Sequence, residues 1–210
     1  MAVSRVGRDP PPPHVCKNNI VQGRPPWSPA PAKHIIMDNE VLRNIKERRS
    51  IRRFKQEQIK DEELNTVLEA GTWAPTGMGS QTPFIVAVQN EKQKTVLTKI
   101  NAEIMGTTSD PYYNAPTHIY VFAPKDNANN VKDGSLILGT MMLAAHSIGL
   151  GSCWINRVDK MVAYPEMQQL MKEWGLPDGL MGVGSLAIGY PDGAPHAAKP
   201  RKKDYYRIIK

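Results

Sequence analysis

An α+β fold is predicted for this chain by three observations. Short apolar runs read as buried strands, stretches of helical periodicity lie between them in an irregular order, and no internal repeat is visible. At 210 residues, with 40% apolar and 22% charged side chains, the chain is long enough for one domain with a real core.

Residues 1–36 are proline-rich (Pro10 to Pro13, Pro25, Pro26, Pro29, Pro31) and lack apolar periodicity, so they bury too little surface to offset their ordering entropy. They read as a disordered extension or an artificial leader, with the folded domain over 37–210. Asp38 is the expected N-cap of a helix carrying Val41, Leu42 and Ile45 on one face. That helix delivers Arg48-Arg49-Ser50-Ile51-Arg52-Arg53-Phe54, an extended segment. Alternate side chains of an extended segment share a side, so Arg48, Ser50 and Arg52 present two guanidinium forks around a hydroxyl. Such a row grips phosphate or carboxylate. The competing reading is a basic helix end complementing the macrodipole.

A second helix is predicted over 61–70, with Leu64, Val67 and Leu68 on one face, acids in the first turn and Gly71 as the stop. A loop of small residues follows over 73–81. Residues 84–88 read as a buried strand, 92–105 as a helix, 106–111 as a loop and 117–122 as a second buried strand. The helix expected over 131–150 is apolar on nearly every face, which predicts burial all round and favours burial between two subunits. A third strand begins at 153–155, a helix is expected over 161–174, and a strand over 182–188 precedes a basic tail.

The formal charge is +7, but residues 1–36 hold five basic side chains against one acid, leaving only +3 for the domain. No aromatic-interleaved basic face follows Met37, which argues against a nucleic-acid partner. Lys199, Arg201, Lys202 and Lys203 read as a solvated tail or a patch for polyanions, or as a second arm closing with Arg48 and Arg52 on one dianion. The two cysteines, Cys16 and Cys153, have no spacing suited to zinc and suit a reducing cytosol. The apolar stretch 136–150 is shorter than a membrane span. Gly182-Val-Gly-Ser-Leu-Ala187 has the letters of a dinucleotide fingerprint without the strand before it and helix after it, so its glycines mark close backbone approach. No nucleophile, histidine pair or paired carboxylate is spaced for acid–base or hydrolytic catalysis, and no metal set appears.

Four motifs in order, Glu47-Arg-Arg-Ser-Ile-Arg-Arg-Phe54, Ala74-Pro-Thr-Gly-Met-Gly-Ser-Gln81, Leu143-Ala-Ala-His-Ser-Ile-Gly-Leu-Gly-Ser-Cys-Trp154 and Ile188-Gly-Tyr-Pro191, resemble those of the FMN-dependent nitroreductase family over essentially 37–210. The resemblance implies an antiparallel sheet flanked by helices in an entwined homodimer, with FMN at the interface. It implies a cytoplasmic oxidoreductase that takes electrons from NADH or NADPH and passes them by a ping-pong cycle to a small acceptor: a nitroaromatic, quinone, flavin or activated alkene. Two alternatives stay open, a flavin-binding sensor or store without turnover and a relative that dehalogenates or destroys flavin.

By the same resemblance, Arg48, Ser50, Lys199 and Arg201 hold the FMN phosphate, Arg49 adds to the anchor mainly through backbone, Arg52 approaches the pyrimidine edge, and Asn101 bonds that edge. Pro75, Thr76, Gly77 and Gly79 come from the second subunit. Trp154, Ile155 and Asn156 lie along the ring with a backbone N–H near its N5, so no catalytic side chain is implied. The family often has Ser or Asn at the positions of Gly77 and Gly79, and a longer lid-forming insertion between those of Asn101 and Thr117.

Overall fold

The structure is a computed structural model and describes residues 37–210; the expected N-terminal extension lies outside these. Ten elements follow one another: α1 (Glu40–Glu47), α2 (Asp61–Thr72), β1 (Phe84–Val88), α3 (Glu91–Met105), β2 (Thr117–Pro124), α4 (Asn130–Ser147), β3 (Gly151–Ile155), α5 (Val158–Met161), α6 (Pro165–Glu173) and β4 (Leu180–Gly189). The four strands form one antiparallel sheet in the order β1-β2-β4-β3.

Strand β2 is central, buried from Thr117 through Ala123, which is why it reads as an unbroken apolar run. Its alternate residues divide the core. Tyr120 and Phe122 pack with Leu97 and Ile100 of α3, Met161 of α5 and Met167 of α6. Ile119 and Val121 pack with Val67 of α2 and Leu138 and Met141 of α4. Helices therefore cover both faces of the sheet.

Several boundaries differ from expectation for local physical reasons. Asn39, not Asp38, caps α1: its side chain accepts from the Leu42 N–H at 2.9 Å, while Asp38 pairs with Arg43 at 3.0 Å. Gly71 does not stop α2, which runs on to Thr72. A Cβ on Gly71 would stand 2.8 Å from Met141 Cγ, so this glycine permits close packing of α2 on α4. Strand β1 is an edge strand and only half-buried, with Phe84 37% exposed. The helix expected over 161–174 is two helices, because Pro165 lacks an N–H and occupies the first turn of α6. Gly182 and Gly184 are sites of close approach, to the Val158 backbone and to Leu138 and Trp154.

Helix α4 is less enclosed than its composition predicts. Its inward face is buried, yet Val131 and Leu136 stand 49% and 47% exposed, and Val41 and Ile45 of the adjoining α1 stand 68% and 50% exposed. The two helices are tied where Asn44 Nδ2 donates to the Leu143 carbonyl at 3.0 Å. No helix among the described residues is long and apolar enough to cross a membrane.

Candidate functional site

Arg48, the C-cap of α1, turns the chain out of the helix into extended backbone with ψ 132°. The segment runs beside the outer edge of β3: Ser50 bridges Ser152 in parallel, and the Ile51 N–H donates to the Ser152 carbonyl at 3.0 Å. It then reaches the end of β4, where Phe54 bridges Pro191. The sheet edge is what makes the segment extended, and extension is what gathers its alternate side chains.

That gathering shows at Cys153 of β3. Burial pushes this thiol above its ordinary value; the nearby cations Arg52 and Arg48 and a hydrogen bond from Ser50 oppose the shift. Arg48, Ser50 and Arg52 thus all bear on the Cys153 thiol, next to Ser152, which Ser50 bridges. Arg48 Nη1 is buried and has no hydrogen-bond partner among the described residues. A buried guanidinium nitrogen without an acceptor is costly, and an anion is the group that relieves it. The guanidinium of Arg52 lies 6.0 Å from the centre of the Tyr113 ring.

The neighbouring arginines are otherwise engaged. Arg49 Nη1 donates to the carbonyls of Lys46 and Arg48 at 2.6 and 2.8 Å, which is the helix-end role of a basic residue. Arg53 pairs with Asp192 at 3.0 Å. Lys199 and Arg201 are exposed in the C-terminal segment and make no hydrogen bond or ion pair among the described residues, so a single chain does not join them to Arg48. Tyr205, Tyr206, Ile208 and Ile209 beyond them are 71–90% exposed.

Pro75 is exposed and Thr76 and Gly77 are half-buried in the loop before β1, where residues 77–79 form one 3-10 turn. The loop is held at its root: the Gly77 N–H donates at 3.0 Å to Oδ1 of Asp133 in the first turn of α4, and a Cβ on Gly77 would stand 2.4 Å from the Asn129 amide. Asp133 is 3% exposed and its Oδ2 has no partner among the described residues. Beyond the root, Met78 and Gln81 take φ of 53° and 50°, and Met78 projects fully into solvent. Sequence reasoning missed Asp133; its signal was an acid at the start of an otherwise apolar helix.

At the end of β3, Trp154 is half-buried, Ile155 is buried and Asn156 is exposed. Asn101, which the resemblance sets at the pyrimidine edge, lies behind this turn. It is fully buried, its Nδ2 donates to the Asn156 carbonyl at 3.0 Å and its Oδ1 accepts from Arg157 Nε at 2.9 Å. Its amide thus holds the turn after β3.

The model of the Nitroreductase family matches residues 45–190. Among solved structures, a nitroreductase with bound FMN from Bacteroides fragilis NCTC 9343 is 32% identical, with a TM-score of 0.76 over 82% of this chain and 100% of that one. The FMN reductase [NAD(P)H] of Bacillus subtilis strain 168 is 26% identical over 186 residues, 78% of this chain and 70% of that protein. Oxidised iodotyrosine deiodinase bound to FMN and 3-iodo-L-tyrosine is 25% identical, with a TM-score of 0.65 over 81% of this chain and 99% of that one.

Proposed function

Because this chain belongs to the Nitroreductase family, we propose that it is an FMN-dependent oxidoreductase that takes electrons from NADH or NADPH and reduces a small acceptor in two successive half-reactions. The observation that carries the reading is the row of Arg48, Ser50 and Arg52 with its buried Arg48 nitrogen, partnerless among the described residues, which fits a phosphate dianion. FMN, when bound, supplies the redox chemistry. The lack of any acid–base constellation in the sequence suits such an enzyme.

The residues divide the work. Arg48 and Ser50 hold the phosphate, with Lys199 and Arg201 added when the C-terminal segment closes, and Arg49 stiffens the anchor by capping α1. Arg52 offers its cation to the pyrimidine edge of the ring, where negative charge on reduction is stabilised. Trp154, Ile155 and Asn156 support the ring, and Asn101 acts behind them by fastening the Asn156 carbonyl. Pro75, Thr76, Gly77 and Gly79 of a second copy complete the site, which makes the working unit a homodimer. We place this enzyme in the cytoplasm. Nitroaromatics, quinones, flavins and activated alkenes are the acceptor classes to test first.

The deciding experiment is a visible absorption spectrum of the purified protein, followed by anaerobic addition of NADH and then NADPH. Flavin bands that bleach with a donor support the reading and name the donor. Bands that persist with both donors would leave a flavin protein without turnover, and a colourless protein that ignores added FMN would overturn the cofactor assignment. Reductive dehalogenation is the second reading, favoured by the likeness to iodotyrosine deiodinase; release of iodide from 3-iodo-L-tyrosine by the reduced protein decides it.

A further inference from the structure

A hollow of about 920 Å³ lies between α3, the extended segment after Phe54 and the connection from α3 to β2. Its floor is polar and buried. Lys94 is 7% exposed and its Nζ donates to the Pro116 carbonyl at 2.8 Å and to Glu91 Oε1 at 2.9 Å, which leaves a third N–H. His118 is 2% exposed and stacked on Tyr112 at 3.9 Å, and its Nδ1 is 3.4 Å from the Tyr120 hydroxyl. Burial and the Lys94 charge push His118 down to about 3, so it is a neutral hydrogen-bonding group at ordinary pH.

The walls are amides and hydroxyls, among them Gln58, Gln89, Thr95 and Thr98. The acids around the hollow are engaged: Glu91 with Lys94, Glu103 with the Tyr164 hydroxyl, and Asp110 with the N–H groups of Tyr112 and Asn114 at 2.7 and 2.6 Å. The rest of the lining is amide and hydroxyl donors and acceptors, with the three carboxylates as further acceptors and the cation of Lys99 on the rim.

A second hollow of about 380 Å³, beside Arg52 and Tyr113, adjoins the first, and the two share Gln56, Ser109, Asp110 and Asn114. The saddle between them is strained. Tyr113 and Asn114 take φ of 59° and 55°, and both oxygens of Asp110 hold the turn in that shape. Strain of this kind persists where the surrounding structure over-determines it, and it concentrates at ligand clamps.

We infer that the hollow floored by Lys94 and His118 seats the adenosine half of the nicotinamide donor, whose reactive half lies across the Tyr113–Asn114 saddle beside Arg52. Ribose hydroxyls and purine-edge nitrogens are the complement of a wall of amides, hydroxyls and carboxylate acceptors, and Lys99 offers a cation to a phosphate of the linker. The inference rests on the oxidoreductase reading above.

Kinetics with two donors test it on the FMN-loaded enzyme: NADH, and reduced nicotinamide mononucleotide, which lacks the adenosine half. Thr98→Trp and, one turn away on the same helix face, Thr95→Trp fill the hollow from the surface of α3. Each variant should lower the preference for NADH over the truncated donor, measured as the ratio of kcat/KM values, by about tenfold. The loss should enter through the KM for NADH. An unchanged ratio in both variants, with NADH and the truncated donor affected alike or not at all, overturns the adenosine seat while leaving the oxidoreductase reading intact. A wild-type holoenzyme that oxidises neither donor overturns both.

Discussion

Arg48 carries the most specific expectation at the scale of single residues. A phosphate bound at its unpartnered Nη1 gains charge-assisted hydrogen bonds worth about 1.5–3 kcal/mol. Arg48→Ala should therefore weaken FMN retention by roughly 10- to 100-fold, read as loss of flavin absorbance on gel filtration. Full retention would remove the phosphate from this site. His118 bears on stability. Its value is depressed to about 3 in the folded chain, against an ordinary 6.5, so between these values the unfolded chain binds more protons. Its contribution is complete above about pH 6.5 and is lost on acidification toward 3, at up to ~1.4 kcal/mol per pH unit. His118→Gln should flatten that acid limb in urea unfolding measured from neutral pH down to about pH 4. At this scale the row of Arg48, Ser50 and Arg52 was legible because period two is a local property of extended backbone. The bonds of Asn101 to Tyr112, Asn156 and Arg157 were not, because they form only when separate elements pack.

Among the elements, strands β2 and β4 and helices α3 and α4 were found within a few residues, since long apolar runs and helical periodicity report burial directly. Gly71 shows where local reasoning fails. A glycine after an apolar face reads equally as a helix stop or as a contact point, and only the approach of Met141 decides between them. Gly71→Val should force α2 off α4 and cost about 1–3 kcal/mol. Thermal unfolding would show it, and a melting temperature unchanged from wild type would mean that the two helices have room to spare. Trp154 and Ile155 were legible as residues of a strand, but their separation into half-buried and buried follows from the pairing of β3 with β4.

At the scale of the domain, the exposed apolar side chains of α1 and α4 and of the C-terminal segment are surface that the described residues leave uncovered. Leu136 is 47% exposed, so Leu136→Glu burdens no core contact of the monomer and places a charge where a second copy is expected. On the proposed homodimer, it should yield a folded, flavin-depleted monomer by light scattering. A variant that stays dimeric would place the interface elsewhere.

The sequence by itself determined the α+β class, the near-complete order of elements and the extended course of Arg48, Ser50 and Arg52, because each depends on burial periodicity or on alternation along a few consecutive residues. Tertiary structure alone decided that α4 keeps an open side, that Asp133 anchors the loop of Gly77, that Asn101 turns inward, and that Lys94 and His118 floor a common hollow. The physical reason is the same in each case. These features join residues far apart in the chain, such as Gly77 with Asp133 and Lys94 with Pro116, and no local period records a contact made only when separate elements pack.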